Sequence, residues 1–297
     1  MVTAKILVLG RSGQMARELE KLGPPTGCAL EFAGRDRFDL MSQDDPRPLL
    51  DAVQPAAVIN ASGYTAVDKA ESEPEAAYRL NRDAPAAFAA ACAQAGAPFV
   101  HFSTDYVFDG TKAGPYVEAD PVSPLGVYAA SKAAGEAAVL AAGGPTVVIR
   151  TSWVYSAFGS NFVKTMLQLA ATREEVGVVA DQIGRPTWAE DCARGALRAV
   201  QALRDREIAG PELYHLAGEG DASWADLAQA VFAGSAARGG PSARVRRITT
   251  AEYPTAARRP ANSRLDCAKI ARALDFPARP WRQSLEACFE ELETLPR

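Results

Sequence analysis

Five short apolar runs, each followed by a stretch of helical character, set the limits on what this chain can fold into. The runs are Lys5 to Leu9, Ala29 to Ala33, Ala57 to Asn60, Phe99 to Ser103 and Val147 to Thr151. Continuous apolar runs of this length suit strands buried on both faces of a parallel sheet. Helical stretches at Gln14 to Lys21, Pro46 to Val53, within Glu75 to Ala95 and at Tyr128 to Ala141 alternate with them. Such alternation reads as βαβ units, so the expected fold class is α/β with a doubly wound parallel sheet. After Thr151 the rhythm changes. Helices are expected over Asn161 to Thr172, Ala189 to Leu203 and Ser223 to Ala233, the last opened by a serine cap. A strand is expected at Glu212 to Ala217 and an edge strand at Arg244 to Thr249. The expected division is a dinucleotide-binding domain over 1–150 plus a returning segment of about 190–217. Residues 151–189 and 218–297 then form a smaller mixed α/β substrate domain.

Composition narrows the function classes. Of 297 residues, 48% are hydrophobic, which supplies ample core and excludes intrinsic disorder. Net charge is 32 − 36 = −4, with no block of like charge, which argues against a nucleic-acid partner. No apolar run reaches the length of a membrane span. Cys28, Cys92, Cys192, Cys267 and Cys288 are scattered, odd in number and free of any CxxC pair. They are expected as buried free thiols rather than metal ligands or disulfides. With no export signal in the opening residues Met1 to Gly10, a reducing cytoplasm is the expected location.

The first strand runs straight into Gly10-Arg11-Ser12-Gly13-Gln14-Met15-Ala16. A glycine-rich turn between strand and helix is the setting a dinucleotide loop requires. Gly10 permits the turn, and Gly13 lets a pyrophosphate approach the positive end of the helix. The spacing is GxxGxxA, with Ala16 still small enough for close packing. At the end of the second strand an acid would favour NADH, but Ala33-Gly34-Arg35 stands there, with Glu31 inside the strand. Arg35, with Arg11, suits a 2′-phosphate, so NADPH is expected. Asp39 is positioned to accept from the adenine amino group.

Tyr128 and Lys132 stand four residues apart, one turn of helix, on a shared face. A nearby ammonium is expected to draw the phenol down from its usual pKa and fit it for proton transfer. Hydride transfer to a ketone leaves an alkoxide that such a tyrosine protonates. Ser103, Thr104 and Asp105 close the fourth strand, where ligands of open sheets bind, and spacing does not choose among them.

These residues resemble the extended short-chain dehydrogenase/reductases, and among them the dTDP-4-dehydrorhamnose reductases, over nearly the whole chain. The resemblance rests on Gly10 to Gln14, Thr65 to Pro74 (TAVDKAESEP) and Ser103 to Gly110 (STDYVFDG). It continues through Ser123 to Tyr128, Arg150 to Tyr155, Asn161-Phe162, Asp181 to Thr187 (DQIGRPT) and Arg259 to Ser263. It implies a Rossmann-type dinucleotide domain and reduction of the 4-keto group of dTDP-4-dehydro-L-rhamnose by NADPH, with NADH possible, giving dTDP-L-rhamnose.

By the same resemblance Thr104 is the third catalytic residue beside Tyr128 and Lys132. Gly10 to Met15, Arg35, Asp39, Leu40, Ala61, Ser62, Gly63, Tyr64 and Thr65 would meet the cofactor, together with Tyr128 and Lys132. Thr65, Val67, Thr104, Asp105, Tyr128, Trp153, Asn161, Arg259 and Asn262 would meet the sugar nucleotide. The implied partner is a dTDP-sugar, and a homodimer is compatible with the pattern. Some members hold magnesium between subunits through glutamates. Glu18 and Glu190 match such positions, no third is placed, and the metal is left unassigned. Two rivals share the fold. An epimerase or dehydratase would want a further acid or base beside the threonine. A non-catalytic subunit resembling the regulatory subunit of methionine adenosyltransferase would show a degenerate triad.

Overall fold

The structure, a computed structural model, describes residues 3–42 and 44–295. Of the stretches read from sequence, Met1, Val2 and Gln43 of the first domain and Pro296 and Arg297 at the end lie outside it. Its centre is a six-stranded parallel sheet of β1 (Ala4–Leu9), β2 (Cys28–Ala33), β3 (Ala57–Asn60), β4 (Phe99–Thr104), β5 (Thr146–Thr151) and β10 (Glu212–His215). The strand order is β10-β5-β4-β3-β1-β2. Every expected strand of the first half is present, because their continuous apolar character matches burial on both faces: β4 and β5 are buried at every residue. The order turns around at β1, so a crevice opens beyond the carboxyl ends of β1 and β3.

Helices α1 (Gln14–Leu22), α2 (Arg47–Val53), α3 (Val67–Ala70), α4 (Pro74–Tyr78), α5 (Ala84–Ala95) and α6 (Val127–Ala141) fill the crossovers. The single long helix expected within Glu75 to Ala95 is in fact α4, a π-helical turn over Arg79–Asp83, and α5. Pro85 explains the interruption. It has no N–H to return to the carbonyl four residues earlier, that of Asn81, and its ring would clash there. The bulge turns this carbonyl toward α6, where only glycine fits: a Cβ on Gly135 would lie 1.9 Å from it.

The remaining chain forms small paired strands and further helices. The pairs are β6 (Val154–Tyr155) with β9 (Thr187–Trp188), β8 (Ile183–Gly184) with β11 (Ala222–Ser223), and β7 (Glu175–Val179) with β12 (Arg244–Ile248). The helices are α7 (Phe162–Ala170), α8 (Ala189–Arg204), α9 (Trp224–Ala237), α10 (Ala268–Leu274) and α11 (Trp281–Thr294). Asn161 caps α7, and Ser223 with Asp226 forms a reciprocal cap on α9. Helix α8 packs on α1 and joins the sheet's core, while Tyr155, Val163, Trp188, Phe232 and Phe289 belong to a second core. All five cysteines are buried and free. Among the described residues no helix is long and apolar enough to cross a membrane.

Arg150 on β5 and Glu136 on α6 form a buried pair, with guanidinium and carboxylate joined at 2.9 and 2.7 Å. Glu136→Ala leaves the guanidinium without its counter-ion, and the expected cost is about 3–5 kcal/mol. Urea denaturation of the two proteins measures it, and a loss under 1 kcal/mol would refute the pair's role.

Candidate active site

Loops at the carboxyl ends of β1 to β5 enclose a cleft of about 1150 Å³. That is above the roughly 300–1,000 Å³ of a pocket for one drug-sized ligand. Gly10 to Met15 line one end. Gly10 has φ of +104°, and a Cβ there would meet the Ser62 hydroxyl at 2.4 Å. The first turn of α1 has no side-chain cap, so its N–H groups are left for an anion. The second wall is Ala61, Ser62, Gly63, Tyr64 and Thr65. Asn60 holds it, accepting from the Ser62 N–H at 3.0 Å, while the Ser62 hydroxyl donates to the Leu9 carbonyl at 3.0 Å. These residues fit the pyrophosphate of a dinucleotide.

Arg35 stands exposed at the rim beside Arg11, and both line the cleft. Glu31 is turned away. Although partial burial works against it, the Arg37 and Lys5 partners hold its carboxyl below the ordinary range. Asp39 and Leu40 line the same end, with Asp39 already accepting from the Met41 N–H at 2.9 Å. Asp36, which the sequence reading passed over, also lines it.

At the other end Thr104, Tyr128 and Lys132 converge. The Thr104 hydroxyl donates to Asp105 Oδ1 at 3.0 Å and accepts from the Tyr106 N–H at 3.2 Å. Burial pushes the Tyr128 phenol up to about 12, with the Thr104 hydroxyl opposing and Asp105 adding to the rise. The expected lowering by Lys132 is not found. The Lys132 ammonium donates instead to the Phe102 carbonyl, and burial draws its pKa down to about 8 against the pull of Glu136. Burial also raises Asp105 to about 7, against the hydroxyls of Ser263 and Thr104, and its Oδ2 is buried without a partner.

Asn81, at the π-helical turn, holds these two ends together. Its Oδ1 accepts from the Tyr64 N–H at 2.8 Å, and its Nδ2 donates to the Tyr64 carbonyl at 3.0 Å and to the Ser131 hydroxyl at 2.9 Å. Ser131 in turn donates to the Tyr128 carbonyl at 2.7 Å. The amide thus fixes the cofactor loop against the helix that carries Tyr128. The signal that could have found it is Pro85 four residues on.

The second core supplies the outer wall. Trp153 faces the cleft at φ +48°, a conformation costing a non-glycine residue roughly 1–3 kcal/mol. Trp224, not foreseen from sequence, stacks on it at 3.6 Å, and a Cβ on Gly184 would lie 2.4 Å from its ring. Trp224 donates to Gln182 at 3.2 Å, Gln182 to Thr250 at 3.0 Å, and Thr250 to Asp181 at 2.7 Å. Val67 and Asn161 also line the cleft. Asn161 is occupied as the cap of α7 and donates to Gln14 at 3.0 Å. Arg259 and Asn262 are not in the lining. Arg259 grips Asp68 through both guanidinium ends, at 2.5 and 2.6 Å. Asn262 donates to the Lys112 and Gly114 carbonyls at 2.6 and 2.9 Å.

Residues 4–294 match the family described as the RmlD substrate binding domain. The chain is 43% identical over 281 residues to a dTDP-4-dehydrorhamnose reductase of Sinorhizobium fredii, covering 94% of this chain and 95% of that one. Its fold is similar to a crystal structure of a dTDP-4-dehydrorhamnose reductase from Clostridium acetobutylicum (TM-score 0.89, 34% identity, 98% of this chain and 100% of that one). It is as similar to the Bacillus anthracis dTDP-4-dehydrorhamnose reductase solved in complex with NADP (TM-score 0.89, 32% identity, 98% and 100% covered).

Asp105 gives folding stability a pH dependence. Its pKa of about 7 in the fold stands above the ordinary carboxylate value near 3.9 that applies once unfolded. Between those values the unfolded chain has lost the proton that the folded chain keeps, so stability falls as pH rises through that window and levels above it. Asp105→Asn removes the effect and should gain roughly 2–4 kcal/mol on the parent between about pH 4 and pH 7. Parallel stability curves in urea at a series of pH values would overturn this.

Proposed function

The chain belongs to the RmlD substrate binding domain family, and on that premise we propose that it reduces the C4 keto group of dTDP-4-dehydro-L-rhamnose with NADPH, releasing dTDP-L-rhamnose. One observation carries the reading: a glycine-rich anion cradle at a helix N-terminus and the Thr104, Tyr128, Lys132 constellation line one cleft. NADPH is supported by Arg35 and Arg11 at the adenosine end and by the NADP bound in the Bacillus anthracis enzyme. Residues 1–150 with about 190–217 would hold the cofactor, and 151–189 with 218–297 the sugar nucleotide. Burial of one face of α8 in the sheet's core supports this division.

When bound, the reduced nicotinamide supplies the hydride. The residues of the chain manage the proton and the charge. With its pKa near 12, the Tyr128 phenol keeps its proton at neutral pH and is loaded to give it to the C4 oxygen. A reductase needs this tyrosine protonated, and it is; the upward shift makes it a weaker acid than a free phenol, but still a stronger one than the alkoxide that hydride transfer leaves. Thr104 stands beside it as a second hydroxyl donor to the developing oxyanion. Lys132, with a pKa near 8, is mostly charged at neutral pH, and its ammonium is held at the wall of the cleft by the Phe102 carbonyl.

Thr65, Val67, Asp105, Trp153 and Asn161 form the sugar side of the cleft. Arg259, whose fork suits a diphosphate, would exchange Asp68 for it, and Asn262 shapes the loop beneath. A dTDP-sugar is thus the proposed partner. Cytoplasmic location and a homodimer belong to the same reading.

Absorbance of the reduced nicotinamide tests the proposal, with the purified chain, NADPH and dTDP-4-dehydro-L-rhamnose generated in place. One NADPH should be consumed per dTDP-rhamnose formed. No consumption, with both ligands shown to bind, would move the chain to another acceptor sugar or to a binding role. Tyr128→Phe should lower kcat at least ~100-fold with little change in NADPH affinity, and retained turnover would remove Tyr128 from its role.

A further inference from the structure

Away from the cleft, α1, α8 and α11 meet at one cation and three anions. Glu18 and Lys21 lie three residues apart on α1, Glu190 opens α8, and Glu291 comes from α11. The Lys21 ammonium is 2.6 Å from Glu18, 2.8 Å from Glu190 and 2.6 Å from Glu291. Glu18 is fully buried. Its second oxygen accepts from the Ser156 hydroxyl at 2.6 Å, and Arg194 donates to Glu190 at 2.8 Å. The Trp188 ring lies 4.9 Å from the ammonium and covers one flank.

Three carboxylates gathered in poorly hydrated surroundings repel one another, and a cation at their focus is what makes the arrangement tolerable. All three carboxylates lie within ion-pair distance of the one ammonium.

Glu18 and Glu190 match positions through which some family members hold magnesium, and Glu291 is the third carboxylate that sequence did not place. Oxygen donors of this kind suit a hard divalent cation. The focus, however, is taken by the ammonium. Among the described residues no set of three or more His, Cys, Asp or Glu side chains is arranged to hold a metal ion. The residues present do not fit the metal. We propose that Lys21 is the built-in cation of this cluster, replacing a divalent metal and tying α1 and α8 to α11 of the second core.

Thermal unfolding and manganese binding test the proposal on the full chain. The unaltered protein should show the same Tm, within about one degree, in EDTA and in millimolar magnesium chloride, and should take up no Mn2+ from solution by electron paramagnetic resonance. Lys21→Met should lose roughly 5 °C or more in EDTA and recover part of it with magnesium, while Lys21→Arg should keep most of the parent Tm. Stoichiometric Mn2+ uptake by the unaltered chain, or a fall of its Tm in EDTA, would overturn the proposal. So would a Lys21→Met protein as stable as its parent, or one that magnesium leaves unchanged. If Lys21→Met does not fold, the measurements on the unaltered chain decide alone.

Discussion

Pro85 cannot return a hydrogen bond to the Asn81 carbonyl, and the site is assembled around the consequence. The helix widens into a π-helical turn at Arg79–Asp83, and the freed carbonyl meets α6 at Gly135. That contact seats α6 close enough for the Asn81 side chain to bond Ser131, one position before Lys132. The same amide holds both backbone groups of Tyr64. The Tyr64 loop and the helix that carries Tyr128 are therefore tied together by one residue. A straight helix through this segment would hydrogen-bond more regularly and would leave the two walls unlinked.

Burial governs the chemistry of the cleft more than any pair of charges does. It raises Tyr128 to about 12 and Asp105 to about 7, and lowers Lys132 to about 8. Each shift favours the neutral form. A cleft of this kind presents hydroxyls and a carboxyl that keeps its proton up to about pH 7, and it gains most when negative charge develops on a bound oxygen. The helix N-terminus at Gln14 and the arginines at the rim place the lasting positive potential at the other end, where phosphates belong.

The centre of the sheet was legible because β3, β4 and β5 are buried on both faces, which writes them into the sequence as largely apolar runs. Gly10 and the Tyr128–Lys132 pair were legible because a turn and a helical spacing each demand particular residues at particular distances. Asn81 was not, since its role depends on a helix defect and on a loop seventeen residues away. Trp224 was not, because aromatic residues at the start of a helix are more often core than wall, and only the fold brings it to Trp153. The direction of the Tyr128 shift was missed for a physical reason. Sequence spacing places an ammonium one turn from the phenol, but it does not reveal that the Phe102 carbonyl claims that ammonium, or how thoroughly the phenol is desolvated. Arg259 and Asn262 were expected against the sugar nucleotide, yet neither lines the cleft, and their bonds to Asp68 and to the Lys112 and Gly114 carbonyls depend on where a distant loop lands.

The Asp181 to Thr187 string shows how a motif outside the dinucleotide loop can serve the same cleft. Gly184 leaves room for the Trp153 ring, Gln182 anchors the Trp224 indole, and Asp181 fixes Thr250 behind them. Trp153 stays at a positive φ only because stacking on one face and the missing Cβ on the other over-determine its place. A side chain at 184 would meet the Trp153 ring at 2.4 Å, so this wall of the cleft is set by a residue outside its lining. The segment is therefore a support for the tryptophan pair, and the strain at Trp153 is the cost of holding that ring in the cleft wall.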